Sequence, residues 1–185
     1  MAGWDLRFNV SEADAAIETL RSSVPAGITR SLNRAVVSAR AYMSTAIAKD
    51  LGIKTGTVKD AIRIEEARQG KEEARVISSG SRIPLVDFQA KGPYPSRGRG
   101  VGVTARMRGQ RKVYPHTFIA QMRSGHRGVF SRSRRNAPRL PIRERFGPSL
   151  PYVFHKHSEA GLARGQEILI TNLRHEMRRA VSLRG

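Results

Sequence analysis

Histidine is the side chain most easily recruited for chemistry at neutral pH, and the chain has five: His116, His126, His155, His157 and His175. His155 and His157 alternate, which on a strand would place both imidazoles on one side as a metal pair. No cysteine and no nearby carboxylate triad completes such a ligand set, and Lys156 between them opposes a cation. Surface histidines are the simpler reading. Gly98-Arg99-Gly100-Val101-Gly102 is rich in glycine but has neither the lysine of a phosphate-binding loop nor a strand-to-helix setting. Ser124-Gly125-His126 has no nucleophile-elbow context. No carboxylate pair for acid–base work stands in the middle third of the chain. The residues therefore read as those of a non-enzyme, with no cofactor and no metal.

Charge is the dominant feature. Lys and Arg number 34 against 15 Asp and Glu, a formal net charge of +19 and a pI near 11.6. Residues 88–143 contain fourteen basic side chains and no acidic one, so this third of the chain carries most of the excess. Such a block repels itself and calls for a polyanion or an acidic partner surface, the alternative being a solvated face that only aids solubility. The absence of cysteine excludes disulfides and thiolate metal sites. No apolar run is long enough to span a bilayer and no signal-peptide pattern opens the chain, so no membrane partner is expected. The length of 185 residues suits one domain with a core built mainly of Ala, Val, Ile and Leu.

The elements that position these residues follow from periodicity. Leu6, Phe8 and Val10 alternate, which allows a short strand. Ser11, with Asp14 three residues on, caps a first helix over 12–22. Pro25 suits the first turn of a second helix. Its stripe is Ile28, Leu32, Ala35, Val36, Ala39, Met43, Ala46 and Ile47, and Gly52 stops it. Residues 48–63 resemble a helix-turn-helix reader whose base-facing side chains would be Thr55, Thr57, Lys59 and Arg63. Against that, Ile62-Arg63-Ile64 alternates like a strand, and the dense charge lies elsewhere. A structural corner burying Leu51, Ile53 and Val58 is favoured. Period-two segments then fill 62–154: a hairpin turning at Gly70, an edge strand at Ile83-Pro84, and strands at Val101–Ala105, Phe118-Ile119 and Val129-Phe130. Two basic loops interrupt them, 91–100 with Arg97 and Arg99, and 131–139 with Arg132, Arg134, Arg135 and Arg139. Pro148 and Pro151 carry the chain round to Tyr152-Val153-Phe154. Ser158 then caps a last helix over 158–182, with a stripe of Leu162, Gln166, Leu169, Ile170, Leu173, Met177, Ala180 and Val181. The fold class is α+β: a helical part over 11–61, a β-rich part over 62–154 and a C-terminal helix. The long Ala-rich helix and the C-terminal helix pack on antiparallel sheet within a single domain.

The central stretch carries a run of collinear motifs. They are Arg111-Lys112-Val113, Phe118-Ile119-Ala120, Met122-Arg123-Ser124-Gly125-His126-Arg127-Gly128-Val129-Phe130, and Arg139-Leu140-Pro141-Ile142-Arg143-Glu144 followed by Phe146-Gly147-Pro148-Ser149. Together these resemble the core of the phage minor tail protein Z family, the tail-completion proteins of lambda-like long-tailed phages. The match is clearest over about a quarter of the chain. The resemblance implies a structural virion protein that completes the head-proximal end of the tail and helps join tail to head around the DNA channel. It implies a homo-oligomeric ring, often six-fold. The partners it implies are other neck and tail proteins, namely the tail terminator, a head-completion or stopper protein and the tail tube, with genomic DNA contacted non-specifically. The implied location is the virion neck, and the host cytoplasm during assembly. Gly125, His126, Gly128, Phe130, Leu140, Pro141, Ile142, Gly147, Pro148 and Ser149 are the motif positions. A function of a different class stays open: a nucleic-acid-binding protein acting through the Arg-rich segment or the corner at 48–63.

Overall fold

The computed structural model describes residues 5–8, 25–78, 80, 82–94, 102–132 and 140–182. The helix expected over 12–22 lies outside them. In chain order the elements are β1 (Asp5–Phe8), α1 (Pro25–Leu51), α2 (Thr55–Asp60), β2 (Ile62–Glu65), β3 (Ala74–Ser78) and β4 (Arg82–Pro84). After a 3-10 turn over Leu85–Asp87 come β5 (Val103–Met107), β6 (Gln110–Tyr114), β7 (Thr117–Gln121), β8 (Arg127–Arg132), β9 (Ile142–Glu144), β10 (Phe146–Ser149) and α3 (Leu150–Ser182). The class is α+β. The strands form four small antiparallel sheets: β1-β3-β2, β10-β4, β5-β6 and β7-β8-β9.

Helix α1 forms where the apolar period puts it. Pro25 opens it, at a position where a missing N–H is harmless. Ile28, Leu32, Ala35, Val36, Ala39, Met43 and Ile47 are all buried. Gly52, with φ at +73°, ends it. The largest contact in the fold is between α1 and α3. They run antiparallel: Arg30 meets Glu176, Met43 meets Gly161, and Asp50 meets His157. Small residues make this close approach possible. Gly27, Ser31, Ala35 and Ala39 recur every four residues on α1, and Gly161 and Gly165 are buried on α3.

Helix α3 begins at Leu150, eight residues before the expected cap. Pro151 sits in its first turn, where proline is tolerated, instead of carrying a loop. Ser158 is interior, its hydroxyl donating to the His155 carbonyl at 2.7 Å. The expected apolar stripe also needs correction. Ile170 is 50% exposed and Met177 41%, whereas Glu176, three residues before the helix's final basic turn, is 5% exposed. The face that packs on α1 is Gly161, Gly165, Leu169 and Glu176, at four- and seven-residue steps.

The buried Glu176 carboxylate is satisfied across the helix pair. Arg30 donates through Nη2 at 2.6 Å and Nε at 3.3 Å, and Arg34 lies 3.9 Å away. The hydrogen-bonded Arg30 guanidinium holds Glu176 below the usual carboxylate range, although burial pulls the other way. A depressed carboxyl pKa stabilises the fold above the unfolded-state value, and that contribution is lost as pH falls through the folded-state value. The thermal midpoint should therefore drop on acidification from about pH 6 to about pH 3, and Glu176→Gln should flatten that part of the curve. Parallel profiles for parent and variant would show that the pair contributes nothing to acid sensitivity.

The corner at 48–63 packs as core. Leu51 and Val58 are fully buried, and Ile53 is partly buried. Helix α2 is only six residues long and runs almost directly into β2. Arg40 Nη2 donates to the Lys59 carbonyl at 2.7 Å, tying the corner to α1. The β1-β3-β2 sheet lies on the helices through Ala74, Val76 and Ser78, which alternate inward. Asn33 holds the β2–β3 hairpin by a reciprocal pair with the Ala67 backbone, at 3.1 and 2.7 Å. Gly70 turns that hairpin with φ at +81°.

Candidate assembly surface

The motif stretch forms the three-stranded β7-β8-β9 sheet and the β10 strand that follows it. Phe118 and Phe130 are register partners, with ring centroids 6.3 Å apart. Gly125 makes the turn between β7 and β8, with φ at +85°, its N–H donating to the Met122 carbonyl at 2.9 Å. His126 Nε2 lies 2.9 Å from Glu144 Oε1, joining the start of β8 to β9. Gly128 lies close beside that pair. A Cβ there would stand 2.7 Å from Glu144 Oε1 and 3.0 Å from the Phe130 ring. Gly147 meets a similar constraint, since its Cβ would lie 2.5 Å from the buried Phe88 ring. Ile142 pairs with Arg132 and Ser149 with Arg82. The peptide bond between Leu140 and Pro141 is cis, and Pro148 lies inside β10 where the ladder register shifts. Gly125, Gly128, Phe130 and Gly147 are thus explained by packing and turn geometry.

Of the arginines singled out from the sequence, only Arg132 lies among the described residues; Arg97, Arg99, Arg134, Arg135 and Arg139 fall outside them. Ser131 and Arg132 belong to β8, so the strand continues into the segment expected as loop 131–139. Ser131 is buried and accepts from Arg145 Nε at 3.0 Å. The Arg132 guanidinium sits 4.7 Å above the Phe118 ring, a cation–π contact that lays this side chain on the sheet. The segment 91–100 also begins with paired backbone, Lys91 bridging to Thr104. After the Arg-rich segment along the chain, large apolar side chains stand in water: Leu140 is 66% exposed, Phe146 43% and Tyr152 71%.

The strand pair disfavoured for His155 and His157 does not arise, because both lie on α3. His157 Nε2, Lys156 Nζ and Arg108 Nη2 approach the Asp50 carboxylate at 3.5, 3.5 and 3.6 Å. Burial pushes Asp50 up, but Arg108, His157 and Lys156 outweigh it and hold the carboxyl low. This cluster joins the end of α1, the β5–β6 turn and the first turns of α3. It was invisible from the sequence, since its members are far apart along the chain. A groove of about 840 Å³ opens beside the α1–α2 corner, lined in part by Lys49, Lys54, Thr55, Asp87 and Arg127. Burial pushes the Asp87 carboxyl up and Lys54 opposes it. Among the described residues no three His, Cys, Asp or Glu side chains are placed to hold a metal ion, and no helix is long and apolar enough to cross a membrane.

The described surface thus pairs a tightly packed motif with outward apolar and basic groups, as in a component of a larger assembly. A family model described as prophage minor tail protein Z (GPZ) matches residues 11–184. The chain belongs to that family and is a structural protein of a phage tail. No curated protein and no solved structure matches it.

Proposed function

We propose that the protein completes the head-proximal end of the tail and helps join tail to head, acting as a homo-oligomeric ring around the DNA path and without catalysis. It would assemble in the host cytoplasm and meet the tail terminator, a head-completion protein and the tail tube. The observation that carries this reading is the exposure of Leu140, Phe146 and Tyr152, which follow the Arg-rich segment 132–139 along the chain. Apolar anchors beside arginine are the composition of docking surfaces. Arginine's planar fork pairs bidentately with carboxylates, which suits acidic faces of adjoining rings. DNA sliding past such a wall would be gripped electrostatically, so docking is the better role for this segment.

The test is to change Arg132, Arg134 and Arg135 together to Ser. Docking predicts tails that fail to mature or to join heads. Infectious particles should drop about ten-fold or more, the equivalent of about 1.4 kcal/mol of docking energy. Normal joining with only a genome-positioning or ejection defect would assign these arginines to DNA.

A further inference from the structure

We propose that the outer face of the β5–β6 hairpin binds the phosphate backbone of nucleic acid through Lys91, Arg106 and Arg111. Strand β5 buries Val103 and Ala105, which turns Thr104 and Arg106 to the opposite face. The register pairs Arg106 directly with Arg111 and Thr104 with Val113. The backbone bridge between Lys91 and Thr104, at 2.8 and 2.7 Å, brings Lys91 alongside on the same face. Three cations therefore share one face, Arg106 and Arg111 about 5 Å apart across the ladder and Lys91 diagonal to Arg106 at about 7–8 Å.

Two features indicate that this charge acts outward. Like charges directly opposite in a ladder destabilise it, and among the described residues none of the three pairs with a carboxylate. Arg106 Nε donates to the Gly109 carbonyl at 3.2 Å and Arg111 Nη1 to Thr104 Oγ1 at 3.0 Å. These bonds hold the guanidinium groups in place and leave their charge uncompensated. Strand β6 is exposed along Gln110–Val113 on both faces, and among the described residues it pairs only with β5. The hairpin is nonetheless fixed at its tip, where the Arg108 N–H donates to the Leu51 carbonyl at 3.3 Å and its side chain reaches Asp50. It is a held ribbon, not a loose arm.

The composition separates phosphate from an acidic protein. Among the described residues, Val113 is the only large apolar side chain on the face. Protein interfaces have apolar, aromatic centres depleted of Lys, whereas nucleic-acid interfaces are polar and strongly positive. With no base-reading geometry, binding should be independent of sequence and set by counterion release.

The test uses the full chain and a mixed-sequence DNA duplex, with affinity read by fluorescence anisotropy across a salt series. Changing Lys91, Arg106 and Arg111 together to Ser should reduce the slope of log K against log salt by about two to three, since each neutralised phosphate contributes about 0.9. Arg106→Ser alone should reduce it by about one and leave the thermal midpoint unchanged or higher, because it relieves the like-charge pair. A folded triple variant with the parent's slope would overturn the proposal, as would a parent that does not bind duplex at low salt. Retention of polyglutamate without duplex binding, lost in the triple variant, would assign the face to an acidic protein and also overturn it. None of these readouts depends on head–tail joining, so their failure is distinct from failure of the docking role.

Discussion

Phe88→Ala is expected to lower the free energy of unfolding by about 3–5 kcal/mol, the range for deleting a fully buried ring. Phe88 is fully buried and is among the largest such side chains in the protein. It lies at the end of the 3-10 turn, where its own backbone ties that turn to β5: its N–H donates to the Leu85 carbonyl at 3.2 Å and its carbonyl accepts from the Arg106 N–H at 2.8 Å. Leu85 in turn donates to the Arg145 carbonyl between β9 and β10 at 3.0 Å. The ring covers Gly147 so closely that no Cβ fits between them. Collapse to fill the void would have to pull β10 and the turn together, and the backbone bonds resist it, which places the cost toward the upper part of the range. Gly147→Ala should destabilise as well, because the obstacle is a buried ring and not the free end of a flexible chain. Urea unfolding followed by circular dichroism measures both. A loss under about 1 kcal/mol for Phe88→Ala would show that the ring is peripheral to the folding unit.

Some of this architecture was legible before any coordinates. The stripe of α1 was, because seven of its eight positions are apolar side chains that end up buried at helical steps. The β2–β3 hairpin was, because Gly70 marks a turn between alternating segments and adopts positive φ, whereas β6 was not, since Gln110-Arg111-Lys112 shows no apolar alternation. The motif at 111–149 identified the family from residues whose main work is packing, Gly128 and Gly147 above all. Helix α3 departs from the sequence expectation for two physical reasons. Prolines at 148 and 151 read as breakers, yet one occupies an irregular two-stranded ladder and the other the helix's first turn. Counting apolar side chains also overlooked glycine, which carries none but lets backbones meet. The Glu176–Arg30 pair and the Asp50 cluster escaped notice because only the folded chain brings their members together.

That overlooked glycine face supplies the second large effect. Met43 is fully buried on α1, and its Cγ and Sδ would stand 2.5 Å from a Cβ on Gly161 of α3. Met43→Ala should cost about 2–5 kcal/mol, for lost transfer energy and the cavity left between the long helices. Gly161→Ala sets two effects against each other. Alanine is favoured over glycine in a helix interior by about 1 kcal/mol, but overpacking a filled core typically costs about 1–3 kcal/mol. Met43 is flexible, yet the atoms in the way are its Cγ and sulfur, near the middle of the side chain, and Ala39 and Ile47 on the same face are buried too. The overpacking term should win by about 1 kcal/mol. Combining the two substitutions places the new methyl in the space Met43 vacates. The double variant should therefore be more stable than the sum of the single losses predicts, by about 1–3 kcal/mol. Equilibrium unfolding of all four proteins measures this coupling. Additivity to within about 0.5 kcal/mol would mean that the helices do not meet at this pair and that the small residues of α1 and α3 are not what sets their separation.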